Sequence, residues 1–455
     1  NAATAPRAAA AEPAPSTPFA HEMPVPRVLS PAFSASGHDY YDLTIREARH
    51  ELIRGLPTTV RSYGGQYPGP TIRARRGRPI FVRQRNSLDV NSNVHLHGGH
   101  VAAEHDGHPM DVIEPGSSRL YCYPNDQRAA PLWYHDHAHH LEAENVYRGL
   151  HASYLLSDDA ERALGLPSGP YDVPLQVRDA RIEEDGSLVY TRAADRPHIL
   201  VNGRERPYFR VAARKYRFRL YNMSVDRYMT FRFADGTEYQ QIGTDGGLLP
   251  APVTTTSTFL SAGERADIVV DFSRHGVGSS VVLENTDALA SENSDVLRFD
   301  VVRGAGDPSV VPATLAELPA MPTPTVERDF VLSTDHEAGT YLINGKTYDP
   351  ERVDVTAQRG ATEVWTVTNG DQSVPPPDFH VHHNFHTHLA QFRVIERNGG
   401  PPAASDAGVK DVVFVPPGDT VRIAMTWATY TGRYVYHCHH LPHSSWGQMA
   451  TLEIV

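Results

Sequence analysis

Apolar and polar residues alternate along this chain in short runs, and glycines and prolines break the runs about every ten residues. Residues 79–82, 216–220 and 363–367 are examples. A period of two over four to eight residues, bounded by turn formers, predicts half-buried antiparallel strands of sandwiches or barrels. A helical period is nearly absent. The stretch 158–164 is the best exception and predicts one or two turns.

One order of features recurs three times: a Pro or Asn-Gly turn, an alternating strand, then an asparagine. The copies end at Asn86, Asn222 and Asn369, which predicts three related β domains. We place the domains at 37–160, 161–303 and 326–455, with a linker at 304–325 carrying Pro308, Pro312, Pro319, Pro322 and Pro324. Residues 1–36 begin with an Ala/Pro/Thr-rich stretch poor in bulky apolar side chains, and we expect a flexible arm there.

Composition narrows the function classes. The chain has 455 residues, 40% hydrophobic and 21% charged, enough for several cores. No run approaches the ~18 consecutive apolar residues of a membrane helix, so no membrane insertion is expected. A net charge of −12 disfavours nucleic acid as a partner. Residue 1 is Asn and no secretory signal is visible, so an upstream piece is expected to have been removed. The expected compartment is extracytoplasmic or secreted, with the cytoplasm as the alternative.

Histidine is what stands out. Nineteen of the 25 fall in four windows, 95–108, 135–151, 380–388 and 437–443. Residues two apart on a strand face the same way, about 6.5 Å apart. His95/His97, His135/His137, His386/His388 and His437/His439 can therefore each aim two imidazoles into one cavity. Eight imidazoles suit copper, zinc, iron or nickel. The only thiol in the windows, Cys438, lies between His437 and His439 and must face the other way, where His443 and the remaining His383 can meet it. A Cys-His₂ set with a weak axial ligand is the blue-copper arrangement. One strand would then carry electrons from thiolate to imidazole cluster.

These windows resemble the four copper-binding motifs of the multicopper oxidases. The wording HLHGG…DGHP, YPNDQR…LWYHDHA, NVYRGL and HTHLAQF is similar to that of bacterial spore-coat laccase, bilirubin oxidase and phenoxazinone synthase. The resemblance runs from about residue 63 to the end. It implies an all-β chain of three cupredoxin-like Greek-key domains and four coppers: type 2 on His95 and His386, a type 3 pair on His97, His135, His137, His388, His437 and His439, and type 1 on His383, Cys438 and His443. It implies an enzyme, laccase-like or phenoxazinone-synthase-like, that couples one-electron oxidation of a small aromatic reductant (a phenol, aminophenol or catechol) to four-electron reduction of O₂ to water. Cys438, His437 and His439 would carry the electrons, and Asp106 matches an acid beside the cluster.

Two positions depart from the family pattern. Ser444 stands where an acid usually follows the last ligand, and Gln448 stands where the axial Met is usual, with Met449 one residue on. An amide oxygen at the axial position would lower the type 1 potential; a bulge bringing in Met449 is the alternative. The remaining histidines of the windows, His100, His105, His108, His139, His140, His151, His380, His382 and His440, fit no ligand position. We expect Asp136 to accept hydrogen bonds, Cys122 to be a buried free thiol, Trp446 to pack, with lining of the substrate approach as the alternative, and Arg73, Arg75, Arg76 and Arg78 to form a solvated turn or a domain contact. Other functions weighed are a cuprous metallo-oxidase in copper resistance, disfavoured by only 7 methionines, a biosynthetic oxidase with a low-potential type 1 site, a nitrite reductase, and a non-catalytic copper binder.

Overall fold

The computed structural model describes residues 12–287, 294–373 and 381–455. Three units succeed one another along the chain, each of two packed sheets. The first is a five-stranded sheet built on His38–Ile53 and a four-stranded sheet that includes His95–His97 and Ala130–His135. The second has seven and five strands between Asp172 and Gly304, and the third six and five between Val326 and Ile454. Each encloses its own apolar core, because alternate residues of each strand face the partner sheet. The α-helices among the described residues are short: Glu142–Arg148, Asp159–Ala163 and Leu441–Ser445. The turns expected near 158–164 are the second of these, capped by Asp158; the other two have no visible period in the sequence.

The threefold repeat has a physical basis. In each unit the strand ending in the repeated asparagine lies parallel to the unit's first long strand: Ile80–Asn86 on His38–Ile53, Lys215–Asn222 on Asp172–Ala180, and Thr362–Asn369 on Val326–Asp335. The terminal asparagine then binds the same corner every time. Its Oδ1 accepts from the backbone N–H two residues on (Leu88, Ser224, Asp371) and its Nδ2 donates to two carbonyls. Those carbonyls are Val90 and Ile113, Arg227 and Leu260, and Val381 and Val415. Fully buried amides satisfied in this way fix the crossover of each sandwich.

The N-terminal arm departs from expectation from residue 12 onward. Its backbone is pinned by Ala14 N–H to Ile182 O, Phe19 N–H to Arg206 O and Met23 N–H to Tyr208 O, each 2.7 Å. Ala14 and Met23 are buried, Met23 in the core of the second unit. Backbone pairing holds a segment whose side chains alone bury little. Within 304–325, residues 310–316 lie against the second unit, with Leu315 buried beside Ile242, Leu248 and Val269, while Thr325 N–H bonds Thr362 O of the third. Of the Arg run, Arg75 pairs with Asp159 and Arg73 lies 3.7 Å from Asp172, tying the first unit to the start of the second; Arg78 pairs with Asp39.

Candidate metal centres

Pairing between strands assembles the histidines. His95 lies opposite His135, and His386 opposite His437. Residues directly opposite share a face, so each pairing doubles an imidazole pair. The first and third units then meet across these faces. Two triads result whose ring nitrogens lie within 4.8 Å of one another: His97, His135 and His439, and His137, His388 and His437. His95 and His386 stand between them, each with a ring stacked on a neighbour's: His95 on His388 at 3.7 Å and His386 on His97 at 3.9 Å. All eight imidazoles expected from the sequence meet here, and all are buried.

The outer atoms of the rings are held, which decides which nitrogens face inward. His95 Nδ1 donates to Asp106 O (2.6 Å), His386 Nδ1 to Asp411 O (2.7 Å), His135 Nδ1 to Asp136 O (2.8 Å) and His437 Nδ1 to Cys438 O (2.9 Å). His388 Nδ1 is held by Asp106 Oδ2 at 2.6 Å. His97 is reversed: Nε2 donates to Asp411 Oδ1 at 2.8 Å, so Nδ1 faces His135. On the inner side, His95 Nε2, His386 Nε2 and both nitrogens of His439 are buried without a hydrogen-bond partner. Such orphaned lone pairs are costly unless something binds them. Burial and neighbouring rings hold these imidazoles well below their usual basicity, so the ligand form is the resting form.

Cys438 faces the opposite way, as the spacing predicts. Its Sγ lies 3.6 Å from His443 Nδ1 and 3.9 Å from His383 Nδ1, and the two nitrogens are 3.1 Å apart. Those separations suit three donors each about 2.0–2.3 Å from one first-row ion. Burial pushes the Cys438 thiol up to about 12, so only a bound cation makes it a thiolate at neutral pH. His383 Nε2 is fixed by Asp371 Oδ2 at 2.9 Å, and the Tyr341 ring stacks on His443 at 3.9 Å. The residues present fit copper: soft thiolate with imidazole on one side, imidazole alone on the other.

Strand pairing places the two axial candidates, Gln448 and Met449, on opposite faces. His437 lies opposite Met449, so Met449 shares the face of the imidazole cluster. One step on, Cys438 N–H bonds Gln448 O, and Gln448 shares the face of the thiol. The Gln448 Nε2 donates to Leu342 O at 3.1 Å; burial holds the neighbouring His383 below its usual basicity, an effect that Asp371 and the Gln448 side chain partly offset.

Several participants carry no sequence signal. Arg265, from the second unit, is fully buried and spends all its donors at this junction: on Asp411 Oδ1 (2.5 Å) and Oδ2 (2.8 Å), Pro131 O, Gly263 O and Asp245 O. Asp411 in turn orients His97 and His386. Asn384 Oδ1 accepts from His439 N–H at 2.7 Å and touches Cys438 Sγ at 3.5 Å. Gly263, at φ +88°, leaves room for the His439 ring; a Cβ there would meet Nδ1 at 2.8 Å. Residues far apart in sequence meet here, so no local pattern marks them.

The secondary expectations divide. Asp136 accepts from Ser92 Oγ, Asn93 N–H and Ala138 N–H, the acceptor role expected of it. Asp106 sits at the cluster with Oδ1 lacking a hydrogen bond and 3.5 Å from His95 Nδ1, and burial raises its carboxyl well above the usual range. Cys122 is free but only half-buried, since its side chain lies on the outer face of its strand. Trp446 does not pack: it is 63% exposed, one turn beyond His443 at the end of a short helix. His380 lies outside the described residues, and among the described residues the other unassigned histidines join no ligand group.

Families described as multicopper oxidase match residues 44–161, 133–282 and 319–455. The chain is 34% identical to a laccase of Bacillus subtilis, covering 96% of this chain and 98% of that one. It is also 34% identical to a bilirubin oxidase of Albifimbria verrucaria, covering 95% and 80%. A laccase crystal structure from Pediococcus acidilactici superposes with TM-score 0.89 at 32% identity, over 98% of this chain and 95% of that one. The chain belongs to the multicopper oxidase family: it is an oxidoreductase with O₂ as acceptor, laccase-like, of three cupredoxin-like β domains. The family uses four copper ions per chain. No helix among the described residues is long and apolar enough to cross a membrane.

Proposed function

We propose that the protein is a laccase-type oxidase that takes single electrons from small aromatic reductants, namely phenols, aminophenols and catechols, and reduces O₂ to two waters. The carrying observation is the strand end His437–Cys438–His439, whose backbone joins a thiol triangle on one face to imidazoles on the other. Copper held by His383, Cys438 and His443, and by the eight clustered imidazoles, supplies the one-electron redox change that thiol and imidazole lack.

The side chains do the rest. Exposed Trp446 and the Tyr341 ring stacked on His443 form an aromatic platform for a substrate ring beside the thiol site. Gln448, on the same face as the thiol, would join His383, Cys438 and His443 in holding that copper and would keep its potential low, which would confine turnover to easily oxidised substrates. Asp411 and Asp106 hold His97, His386 and His388 in their working tautomers, and Asp106 Oδ1 is free to hold a proton beside the oxygen site. The cuprous-oxidase reading has less support, since Met23, Met223, Met229, Met425 and Met449 are buried and only Met110 is well exposed.

The test is a visible spectrum of copper-loaded protein with O₂ uptake on an aminophenol, a phenol and Cu(I) side by side. We expect a blue absorption and aromatic-driven O₂ uptake, both lost in Cys438→Ser. Turnover retained by Cys438→Ser would remove the thiol site from the mechanism, and uptake driven by Cu(I) alone would favour the metallo-oxidase.

A further inference from the structure

A carboxyl group lies buried where neither copper set uses it. Glu142 opens the short helix Glu142–Arg148, five residues after the cluster histidine His137, and is fully buried. Its Oε1 hydrogen-bonds Ser444 Oγ at 3.1 Å, and Oε2 has no hydrogen-bond partner. Among the described residues no Lys, Arg or His forms an ion pair with it. A buried ionised carboxylate without a cation is strongly disfavoured, so such a group stays neutral or is removed by selection. Burial lifts the Glu142 carboxyl to about 8, and the charge of Asp136, which lies between His135 and His137, adds to the rise. At neutral pH the group is an acid with a proton to lend.

Its position gives that proton a use. Ser444 directly follows the thiol-site ligand His443, and Asp136 sits between two cluster ligands, so Glu142 interacts with segments that carry ligands of both centres. The helix Leu441–Ser445 packs on the helix Glu142–Arg148 and carries Ser444 to the acid. Solvent is near the same helix: His140 is exposed and its Nδ1 bonds Ser445 O at 2.8 Å. The titratable groups facing Glu142 are Asp136 from the cluster loop, Tyr190 from the second unit and Tyr348 from the third. Both tyrosines stay neutral near pH 7, because burial raises them further.

We propose that Glu142 is a buried proton donor for oxygen reduction, supplied from the first unit to the place beside Ser444 where residue 444 itself carries no acid. This rests on the oxidase reading above. Each O₂ takes four electrons from substrate and four protons. Glu142 lends one proton at a time: its O–H bond breaks, an O–H bond of a product water forms, and bulk solvent restores the carboxylic acid. Ser444 Oγ, 3.1 Å from Glu142 Oε1 and 3.0 Å from Leu441 O, is the positioning partner: donating to Leu441 O leaves it able to accept the Glu142 proton.

The experiment has two arms. In copper-free protein, infrared difference spectra across pH 6–10 read the C=O stretch of a buried neutral carboxyl. We expect it at neutral pH, lost at alkaline pH and absent in Glu142→Gln. In copper-loaded protein, Glu142→Gln should keep full copper, the blue absorption and the anaerobic rate of reduction by substrate, while reoxidation by O₂ slows about a hundredfold, the scale of one general acid. Adding Ser444→Glu to Glu142→Gln should restore much of that rate. Ser444→Ala, which keeps the acid, serves if Glu142→Gln does not fold; it should shift the infrared band and slow reoxidation. A missing band in unaltered protein overturns the proposal, as does unchanged reoxidation in these variants. Absence of blue absorption in the unaltered protein instead defeats the oxidase reading, and the infrared arm separates the two.

Discussion

Replacing Arg265 with methionine removes the hinge pin of the domain junction while keeping side-chain length. The guanidinium is buried among Asp411, Asp245, Pro131 O and Gly263 O, and every N–H it owns is in use. In Arg265→Met both carboxylates remain buried and Asp411 loses its bidentate partner. Removing one member of a buried pair costs ~3–5 kcal/mol, mostly the uncompensated charge left behind. Unfolding entropy of ~2.1 cal/mol/K per residue over 455 residues is about 1 kcal/mol/K, so the melting temperature should fall by about 3–5 °C. Calorimetry on copper-free protein reads this without metal stabilisation. Copper analysis on the loaded protein should show loss from the imidazole cluster with the thiol site intact, because Asp411 orients His97 and His386 but touches neither His383 nor His443. Pairing the change with Asp411→Asn should recover part of the loss, since the stranded charge is then gone. A fall under 1 °C with the full copper complement would refute the idea that this ion pair holds the junction.

Gln448→Met should raise the thiol-site potential and widen the substrate range toward less reducing phenols; redox titration of the blue absorption checks it, and an unchanged potential would remove Gln448 from the site. Glu142→Gln should show a pH-dependent stability gain. The folded carboxyl sits near 8 against about 4.5 unfolded, so Glu142 favours folding fully below pH 4.5 and that benefit is lost as pH rises to about 8. At ~1.4 kcal/mol per pH unit the loss reaches ~5 kcal/mol. The melting temperature of copper-free Glu142→Gln should therefore match the parent near pH 4.5 and exceed it by several degrees at pH 9; a gap independent of pH would mean that Glu142 does not titrate there. Gly263→Ala should lower copper content at the triad His97–His135–His439, since the new methyl meets the His439 ring.

How much of the fold and the centres is legible in the chain alone depends on range. His-x-His pairs and the lone Cys438 are local patterns, and strand geometry converts them directly into two opposed faces. The repeated asparagines are legible because each copy solves the same corner with the same two-residue turn. Arg265, Asp411, Asn384 and Glu142 are not, because their partners lie far along the chain and a single buried charge has no period. The N-terminal arm misleads for a related reason: side-chain composition says little about a segment held through its backbone. Large aromatics usually pack, which is the ground for expecting Trp446 to do so, but its exposure depends on where one short helix ends.

Both imidazole triads take members from the first and the third unit, some three hundred residues apart. A nascent chain therefore owns two ligands of one triad and one of the other until its third sandwich emerges, and metallation must be a late event of biogenesis. Any ion captured there clamps beginning to end, so the free energy of metal uptake is delivered as resistance to domain parting. Chelation should loosen the whole particle before it unravels any single sandwich.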